Sequence, residues 1–319
     1  LAYVAAVTPK HWDIEIIDEN FTPFRYQHAD LVGITAFTSN INRAYEIAAV
    51  YRERSTPVVI GGIHASMAPE ETEHYADAVL MGEAEAVWPR LIQDFEQGRL
   101  GRRYEGPRVD LSKGNLRPRR DLLHPGYFWQ SVQTSRGCPF DCYFCSVSRY
   151  LGRRYRQRPV EDVLDELSSI PSPYIAFVDD NLIGYGPDSK ARAKALFQGM
   201  LDRKLDKKWW MQTSINAAED ESVVELAAKA GCLFVFIGFE TIDRGSLRKM
   251  DKGVNLRAGI ESYKATAATY HRHGIGVLGA FILGNNFESV DYYKRLANFL
   301  LQSGIDAFQI SILTPLPGT

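Results

Sequence analysis

The sequence predicts an α/β protein in which a Rossmann-like, doubly wound N-terminal domain is followed by a partial (β/α)6 barrel. Short apolar segments rich in β-branched residues alternate with amphipathic helical segments along most of the 319 residues. This alternation favours parallel sheets with right-handed crossovers. It stops once, at residues 98–127, where Arg, Lys, Pro and Gly accumulate. We therefore expect two domains joined by a linker.

Composition excludes several classes of protein. Apolar residues make up 45% of the chain and charged residues 24%, so a packed core is expected and general disorder is not. The net charge is −2, which argues against nucleic acid as a partner. The longest apolar runs, Leu233–Phe239 and Val277–Leu283, are far shorter than the ~20 residues of a membrane-spanning helix. Because the sequence shows no signal-peptide pattern, we expect a cytoplasmic protein without a membrane span.

The N-terminal domain is predicted at residues 1–100, and residues 101–127 are predicted to form the linker. Leu1–Val7 is interpreted as part of a helix, and we expect the first strand of the domain to lie upstream of it. Strand-like patterns occur at Asp13–Asp18, Leu31–Thr35, Val58–Gly61 and Ala78–Met81, and helical patterns at Ile41–Arg54, Ala68–Tyr75 and Ala84–Gln97.

The barrel is predicted at residues 128–319, where six apolar strands follow one another with helices between them. In such folds the chemistry lies at the carboxyl ends of the strands. The strands are predicted at Ser131–Ser135, Tyr174–Asp179, Trp209–Ser214, Leu233–Gly238, Gly276–Leu283 and Ala307–Leu313, and the helices at Val160–Ile170, Ser189–Lys204, Asp220–Ala230, Leu256–His273 and Ser289–Ser303.

Three of the four cysteines form a C-x3-C-x2-C motif, Cys138, Cys142 and Cys145, directly after the first barrel strand. A disulfide framework is not expected in a cytoplasmic chain with so few cysteines. Structural zinc needs four ligands, and no fourth lies nearby. A 4Fe–4S cluster normally takes four cysteines, so three would leave one iron open. Cys232, at the start of an apolar strand, is interpreted as a buried core thiol.

The motif resembles that of the radical S-adenosylmethionine (radical SAM) superfamily, both in Thr134–Pro139 and in Tyr143-Phe144-Cys145. The resemblance implies that the three cysteines hold a 4Fe–4S cluster and that Phe144 packs near the adenine of S-adenosylmethionine. It also implies that one electron enters the cluster and cleaves this cofactor to methionine and a 5′-deoxyadenosyl radical. An electron donor such as flavodoxin or ferredoxin would supply that electron.

Further polar positions at strand ends fit the same resemblance. Asp179 or Asp180 would hold the methionine ammonium group, although Asp180 would equally serve as a turn residue. The remaining S-adenosylmethionine-binding candidates are Gln212 and Ser214 on the third strand and Gly238 and Glu240 on the fourth. Five arginines lie between Arg149 and Arg158 without an acid, and they form either a solvated loop or a clamp for an anion.

The N-terminal domain resembles that of the radical SAM proteins with a cobalamin-binding domain, a group that includes cobalamin-dependent methylases and the anaerobic Mg-protoporphyrin ester cyclase. The resemblance rests on Gly33-Ile34-Thr35, Gly61–His64 and Gly82–Glu85, all at strand ends. It implies cobalamin contacts from Thr35, Ser39, Gly61, Gly62, His64, Gly82 and Glu83. The cobalt-binding motif Asp-x-His-x-x-Gly does not occur, but it would follow the first strand, which we expect upstream of Leu1, so its absence is uninformative. Because a fold does not fix a function, a domain of this fold that binds no cobalamin is the alternative.

These resemblances together imply an enzyme that performs cobalamin-dependent C-methylation of a small-molecule substrate. A radical SAM cyclase or rearrangement enzyme without methyl transfer is the first alternative. A non-catalytic iron–sulfur or zinc module is the second. Nothing in the sequence identifies the substrate.

Overall fold

Two parallel sheets organise the protein in a computed structural model that describes residues 1–114, 116–286 and 288–319. Each sheet belongs to one of two compact units, the first formed mainly by residues 1–127 and the second mainly by residues 128–315. Asn115, within the expected linker, lies outside the described residues.

The sheet of the N-terminal unit has four parallel strands in the order β1-β2-β3-β4. The first three confirm the predicted strands, but the predicted strand at Asp13–Asp18 is not part of the sheet. Its alternation reflects one covered face, whereas a strand also needs a hydrogen-bonded neighbour. The sheet extends instead into the expected linker, which supplies β4. The strands are β1 (Val32–Thr35), β2 (Val58–Gly61), β3 (Ala78–Gly82) and β4 (Arg103–Gly106).

Helices cover both faces of this sheet, as expected for a doubly wound domain. Along β2, Val58 and Ile60 pack on one face with helix α2 (Ile41–Arg52), while Val59 packs on the other with helix α5 (Trp88–Glu96). The helix predicted at Ala68–Tyr75 is wrong in its bounds, because Pro69 starts a new short helix and the preceding turn belongs to another. The helices are α1 (Ala2–Val7), α2 (Ile41–Arg52), α3 (Ile63–Met67), α4 (Pro69–Thr72) and α5 (Trp88–Glu96).

The second unit confirms the predicted partial (β/α)6 barrel. Its six strands are all parallel and lie side by side in chain order, without closing into a ring. A separate antiparallel ribbon, β6 (Ser135–Arg136) with β7 (Arg156–Gln157), follows the first strand of this sheet along the chain and precedes the second. The six are β5 (Gln130–Val132), β8 (Tyr174–Phe177), β9 (Lys208–Thr213), β10 (Cys232–Glu240), β11 (Gly276–Leu283) and β12 (Ala307–Ile312).

The barrel helices pack on the outer side of this sheet. The helix predicted at Leu256–His273 is divided, because Gly259 adopts φ +80° between two shorter helices. The longest helix has 16 residues, and no helix within the described ranges combines the length and apolar character that a membrane crossing requires. The helices are α6 (Val147–Tyr150), α7 (Val160–Ser169), α8 (Pro187–Asp202), α9 (Glu221–Lys229), α10 (Arg244–Lys249), α11 (Gly253–Ala258), α12 (Tyr263–Arg272) and α13 (Val290–Gln302).

Aromatic side chains fill the barrel near the amino ends of its strands. Trp210 stacks on Phe234 with ring centroids 5.5 Å apart, and Trp129 meets the same ring at 6.2 Å. Trp129 precedes β5, which is three strands away from β10, so this contact requires a curved sheet. The lower part of the barrel is therefore packed, and space for a ligand lies toward the carboxyl ends.

At the junction of β3 and β4 the two backbones approach so closely that a side chain there would destabilise the fold. A Cβ on Gly106 would lie 1.9 Å from the carbonyl oxygen of Glu83. We expect Gly106→Ala to force β4 away from β3 and to destabilise the N-terminal unit by about 1–3 kcal/mol. Gly101→Ala is the control, because its Cβ would approach nothing closer than 3.4 Å. Thermal unfolding and hydrogen exchange of the β4 amides would test this, and equal stability of the two variants would contradict it.

Candidate functional site

The three clustered cysteines lie on one excursion of the chain, residues 137–155, which we call the cluster loop. The antiparallel ribbon β6–β7 closes its base by pairing Ser135 with Gln157. Inside the loop, the Cys138 amide donates to the carbonyl oxygen of Gly152 at 3.2 Å. The Tyr143 amide donates to the Met250 carbonyl oxygen at 3.1 Å. The loop is thus fixed by its own backbone and by the turn after α10.

The thiols of the cluster loop are free and lie within electrostatic range of one another. Burial raises the pKa of each thiol, that of Cys142 to about 11, while the cation of Lys252 opposes the rise. In the described part of the chain, no three His, Cys, Asp or Glu side chains form a single-ion metal site. Three thiols beside a buried cation, which favours their thiolate forms, fit the donor set of an iron–sulfur cluster.

Lys252 and Glu240 form an almost buried ion pair beside these thiols. Nζ of Lys252 lies 2.6 Å from Oε1 of Glu240, and the two side chains are 12% and 6% exposed. Burial lowers the pKa of Lys252, but Glu240 and the thiols of Cys142 and Cys145 together raise it by more than burial lowers it. The ammonium form of Lys252 is therefore favoured. Sequence reasoning found Glu240 but missed Lys252, which lies in an irregular turn without a motif that would have indicated it.

Backbone strain accompanies this ion pair. Glu240 adopts φ +66°, which is uncommon for a residue with a side chain, and the β10–β11 register shifts at this point. Gly238, the other residue of this strand predicted to bind S-adenosylmethionine, lies against the ion pair: a Cβ there would lie 2.2 Å from Oε1 of Glu240, so a side chain would displace the Glu240 carboxylate. Strain at a strand end beside reactive groups is typical of a functional site.

The two predicted acids of the second strand lie in different surroundings. Asp179 is fully buried and accepts hydrogen bonds from the Thr134 amide at 3.1 Å, the Thr134 hydroxyl at 2.9 Å and the Ser135 hydroxyl. Burial raises the pKa of Asp179, although these bonds and Arg192 act against the rise. Asp179 therefore holds the base of the cluster loop, and its carboxylate is occupied by these hydrogen bonds.

Asp180 lies within electrostatic range of the thiols of Cys138 and Cys145. Burial and the neighbouring charge of Asp179 raise the pKa of Asp180 to about 6. Its charge in turn raises the pKa of Cys138 and Cys145. Of the two acids, Asp180 is the one whose surroundings suit an incoming cation.

A buried network of charges supports the cluster loop from behind. Arg192 donates to the carbonyl oxygens of Thr134 at 3.2 Å and Arg158 at 2.9 Å. The guanidinium of Arg158 donates to Glu166 at 2.6 Å and to the Gln133 carbonyl oxygen at 2.8 Å. Sequence reasoning counted Arg158 with the other basic residues of its segment, but it is buried and paired, so it belongs to the scaffold.

The polar candidates of β9 lie at its carboxyl end, next to the acids. Gln212 is half-buried and alternates with the buried residues Met211 and Thr213, as the two-residue period requires. Ser214 accepts a hydrogen bond from the Asn181 amide group at 3.1 Å. Because β8, β9 and β10 are neighbours, their carboxyl ends bring Asp180, Gln212 and Glu240 to one edge of the sheet.

The N-terminal candidates divide into exposed residues and residues that serve the fold. Thr35 and Ser39 are exposed at the end of β1, and Gly61 is half-exposed at the end of β2. Sequence reasoning missed Phe37, which lies between them and is 66% exposed. This edge is open and combines glycine, hydroxyl groups and an aromatic ring, so its residues fit a wide, flat ligand such as cobalamin.

The other N-terminal candidates contact their own domain. His64 is buried, with Nδ1 3.1 Å from the Thr38 hydroxyl, and the carboxylate of Glu83 accepts from the Val109 amide at 2.9 Å. Gly82 packs against Gly106. Gly62 adopts φ +99°, and a Cβ built on it would lie 2.7 Å from the hydroxyl oxygen of Thr35. A side chain at Gly62 would thus strain the fold itself.

Comparisons with known proteins agree with this geometry. Residues 132–300 match the radical SAM superfamily, and residues 1–92 match the B12 binding domain. Two methyltransferases of Chlorobaculum tepidum are similar along the whole chain. Bacteriochlorophyllide d C-12(1)-methyltransferase is 29% identical, with 71% of its own length covered. Bacteriochlorophyllide d C-8(2)-methyltransferase is 30% identical, with 74% covered.

A solved structure supports the fold. The radical S-adenosylmethionine methyltransferase TsrM from Kitasatospora setae superposes with a TM-score of 0.80 over 99% of this chain and 72% of its own, at 19% identity. The predicted resemblance and the prediction of an enzyme are thus confirmed, and the matched domains imply a 4Fe–4S cluster, S-adenosylmethionine and cobalamin as cofactors. The chain belongs to the radical SAM superfamily, and it carries a B12 binding domain in front of its barrel.

Proposed function

We propose that this enzyme transfers a methyl group to a carbon atom of a small molecule in a cobalamin-dependent reaction. The observation that carries the proposal is the convergence, at one end of the barrel, of three free thiols with Asp180 and the Lys252–Glu240 pair. The open edge of the N-terminal sheet and the methyltransferase relatives support the methyl transfer.

The residues of the barrel have distinct tasks in this proposal. When bound, the cluster supplies the electron that cleaves S-adenosylmethionine, and the cobalamin carries the methyl group. Asp180 accepts hydrogen bonds from the methionine ammonium group, and Phe144 packs against the adenine. Gln212 and Ser214 hydrogen-bond the ribose. The aromatic side chains below them keep water away from the base of the site.

Lys252 and Glu240 contribute a fixed dipole at the same edge. Each charge is held by the other at 2.6 Å, so neither needs to reorganise when a ligand arrives. We further propose a cytoplasmic location, because four unpaired thiols persist in a reducing compartment. The electron comes in this proposal from a protein such as flavodoxin or ferredoxin.

The direct test is anaerobic incubation of the cluster-loaded protein with a reductant, S-adenosylmethionine and hydroxocobalamin. We expect 5′-deoxyadenosine and S-adenosylhomocysteine, detected by mass spectrometry, once a substrate is methylated. Bacteriochlorophyllide d is the first substrate to try, since both bacterial relatives are named for it. Formation of 5′-deoxyadenosine without any methyl transfer would favour a cyclase or rearrangement enzyme instead.

The cysteines can be tested one at a time. We expect Cys138→Ala, Cys142→Ala and Cys145→Ala each to lose the brown chromophore and all 5′-deoxyadenosine formation, because each removes one thiolate ligand. Cys232→Ser is the control, because that thiol is buried in the barrel core and donates only to the Phe234 carbonyl oxygen. Iron content per chain decides the test. Iron loss in the Cys232 variant alone would contradict the assignment.

Asp179 and Asp180 form a matched pair. Asp180→Asn should keep the cluster and bind S-adenosylmethionine about 10- to 100-fold more weakly, because a charge-assisted hydrogen bond is worth roughly 1.5–3 kcal/mol. Asp179→Asn should instead lower cluster loading and thermal stability, because an amide cannot accept all the bonds that Thr134 and Ser135 donate. Its affinity per intact cluster should not change. The reverse pattern in equilibrium binding would exchange the two roles.

Cobalamin binding can be tested at an exposed position, which avoids the strained Gly62. We expect Ser39→Trp to fold normally but to obstruct the open sheet edge, and a clash of about 1–3 kcal/mol weakens binding roughly 5- to 150-fold. Glu53→Trp, at the exposed far end of α2, is the control. Cobalt content after reconstitution with hydroxocobalamin is the measurement. Full occupancy in the Ser39 variant would mean that cobalamin does not lie over this edge.

A further inference from the structure

The outer side of the cluster loop carries positive charge. Residues 137–155 contain three arginines, Arg149, Arg153 and Arg154, and one acid, Asp141, in a chain whose net charge is −2. All three arginines are exposed. Asp141 lies 3.4 Å from the guanidinium of Arg153, whose side chain is still 65% exposed. The loop that holds the thiols is thus locally basic on a weakly acidic protein.

The basic residues are joined directly to the backbone of the first thiol. The Cys138 amide donates to the carbonyl oxygen of Gly152, the residue before Arg153. Gly137 lies so close to Arg154 that a Cβ would come within 2.4 Å of the Arg154 carbonyl oxygen. The chain that presents these charges to solvent is therefore also the outer wall of the cluster loop.

The five arginines between residues 149 and 158 differ in their surroundings. Arg158 is buried with Glu166, and Arg156 donates to the Leu151 carbonyl oxygen inside the loop. These two support the loop, whereas the other three point their charge outward. Tyr143, 41% exposed, lies on the same loop. Exposed arginine and tyrosine are the residues enriched where proteins meet other proteins.

We propose that this basic face docks an acidic electron-carrier protein. The inference rests on the proposed function, which requires an electron at the thiol-bound cluster. The reduced carrier loses one electron and is thereby oxidised, and the cluster gains that electron and is reduced. The carrier's acidic surface meets Arg149, Arg153 and Arg154, and the electron enters through the wall formed by Gly152 and Cys138.

Charge complementarity of this kind acts mainly on the encounter rate. Attraction between opposite patches raises association rates by factors of about 10 to 1,000 and weakens as salt screens the charges. Neutralising three exposed cations should therefore lower the carrier-driven rate about tenfold at low ionic strength. The difference should shrink as salt is added.

The test compares a triple variant, Arg149→Gln, Arg153→Gln and Arg154→Gln, with a charge-matched control. The control is Lys264→Gln, Lys294→Gln and Arg295→Gln, three exposed cations on α12 and α13. Each cluster-loaded protein is assayed for 5′-deoxyadenosine formation with reduced flavodoxin, with dithionite and with reduced methyl viologen. The two small reductants carry opposite charges, so an effect of charge on a small molecule would show as a difference between them. Iron content and the Kd of flavodoxin, measured by calorimetry, complete the set.

The expected result is specific to the protein donor. The loop variant should bind flavodoxin more weakly, and its flavodoxin-driven rate should fall about tenfold. Its iron content and its rates with dithionite and with methyl viologen should not change. The control variant should behave like the wild-type protein. An unchanged flavodoxin rate and Kd would overturn the proposal. Equal losses with all three reductants would overturn it too, and would indicate that the arginines bind an anionic substrate or cofactor. Absence of 5′-deoxyadenosine from the wild-type protein with every reductant would refute the proposed function itself.

Discussion

The buried hydrogen bonds of Asp179 are the interaction on which the barrel site depends. Asp179 lies two residues beyond the end of β8, and through Thr134 and Ser135 it holds the segment that leads into the cluster loop. Arg192 and Arg158 donate to backbone carbonyl oxygens of the same network. The hydrogen bonds of the network offset the free-energy cost of burying the Asp179 carboxylate. Without this anchor, a loop of nineteen residues would have no fixed position for its thiols.

This anchor explains how one barrel edge serves both structure and chemistry. Two consecutive acids follow the same strand, and their side chains lie in different surroundings. Asp179 accepts hydrogen bonds from Thr134 and Ser135, while Asp180 lies within electrostatic range of the thiols. Across the edge, Lys252 and Glu240 balance each other, which keeps both charges in a site with little water. The aromatic layer beneath confines ligands to this edge.

The N-terminal unit obeys a different constraint, the close approach of backbones at the ends of its strands. Gly82 and Gly106 allow β4 to join β3, and Gly62 allows the turn after β2. These glycines are required by the fold, whereas Thr35, Phe37 and Ser39 are exposed and make no such backbone approach. A glycine-rich strand end therefore has two explanations, and only its contacts separate them.

The sequence by itself determined the order of the elements and the identity of the thiols. Apolar periodicity located three strands of the first sheet and all six strands of the barrel, and the cysteine spacing indicated the cluster, because both signals are local. It could not determine β4, since a four-residue edge strand in a basic segment has no pattern of its own. Nor could it assign different roles to Asp179 and Asp180, indicate that Arg158 is buried, or identify Lys252. Those roles depend on which distant residues meet, such as Thr134 with Asp179 or Glu240 with Lys252, and only the tertiary structure decides that.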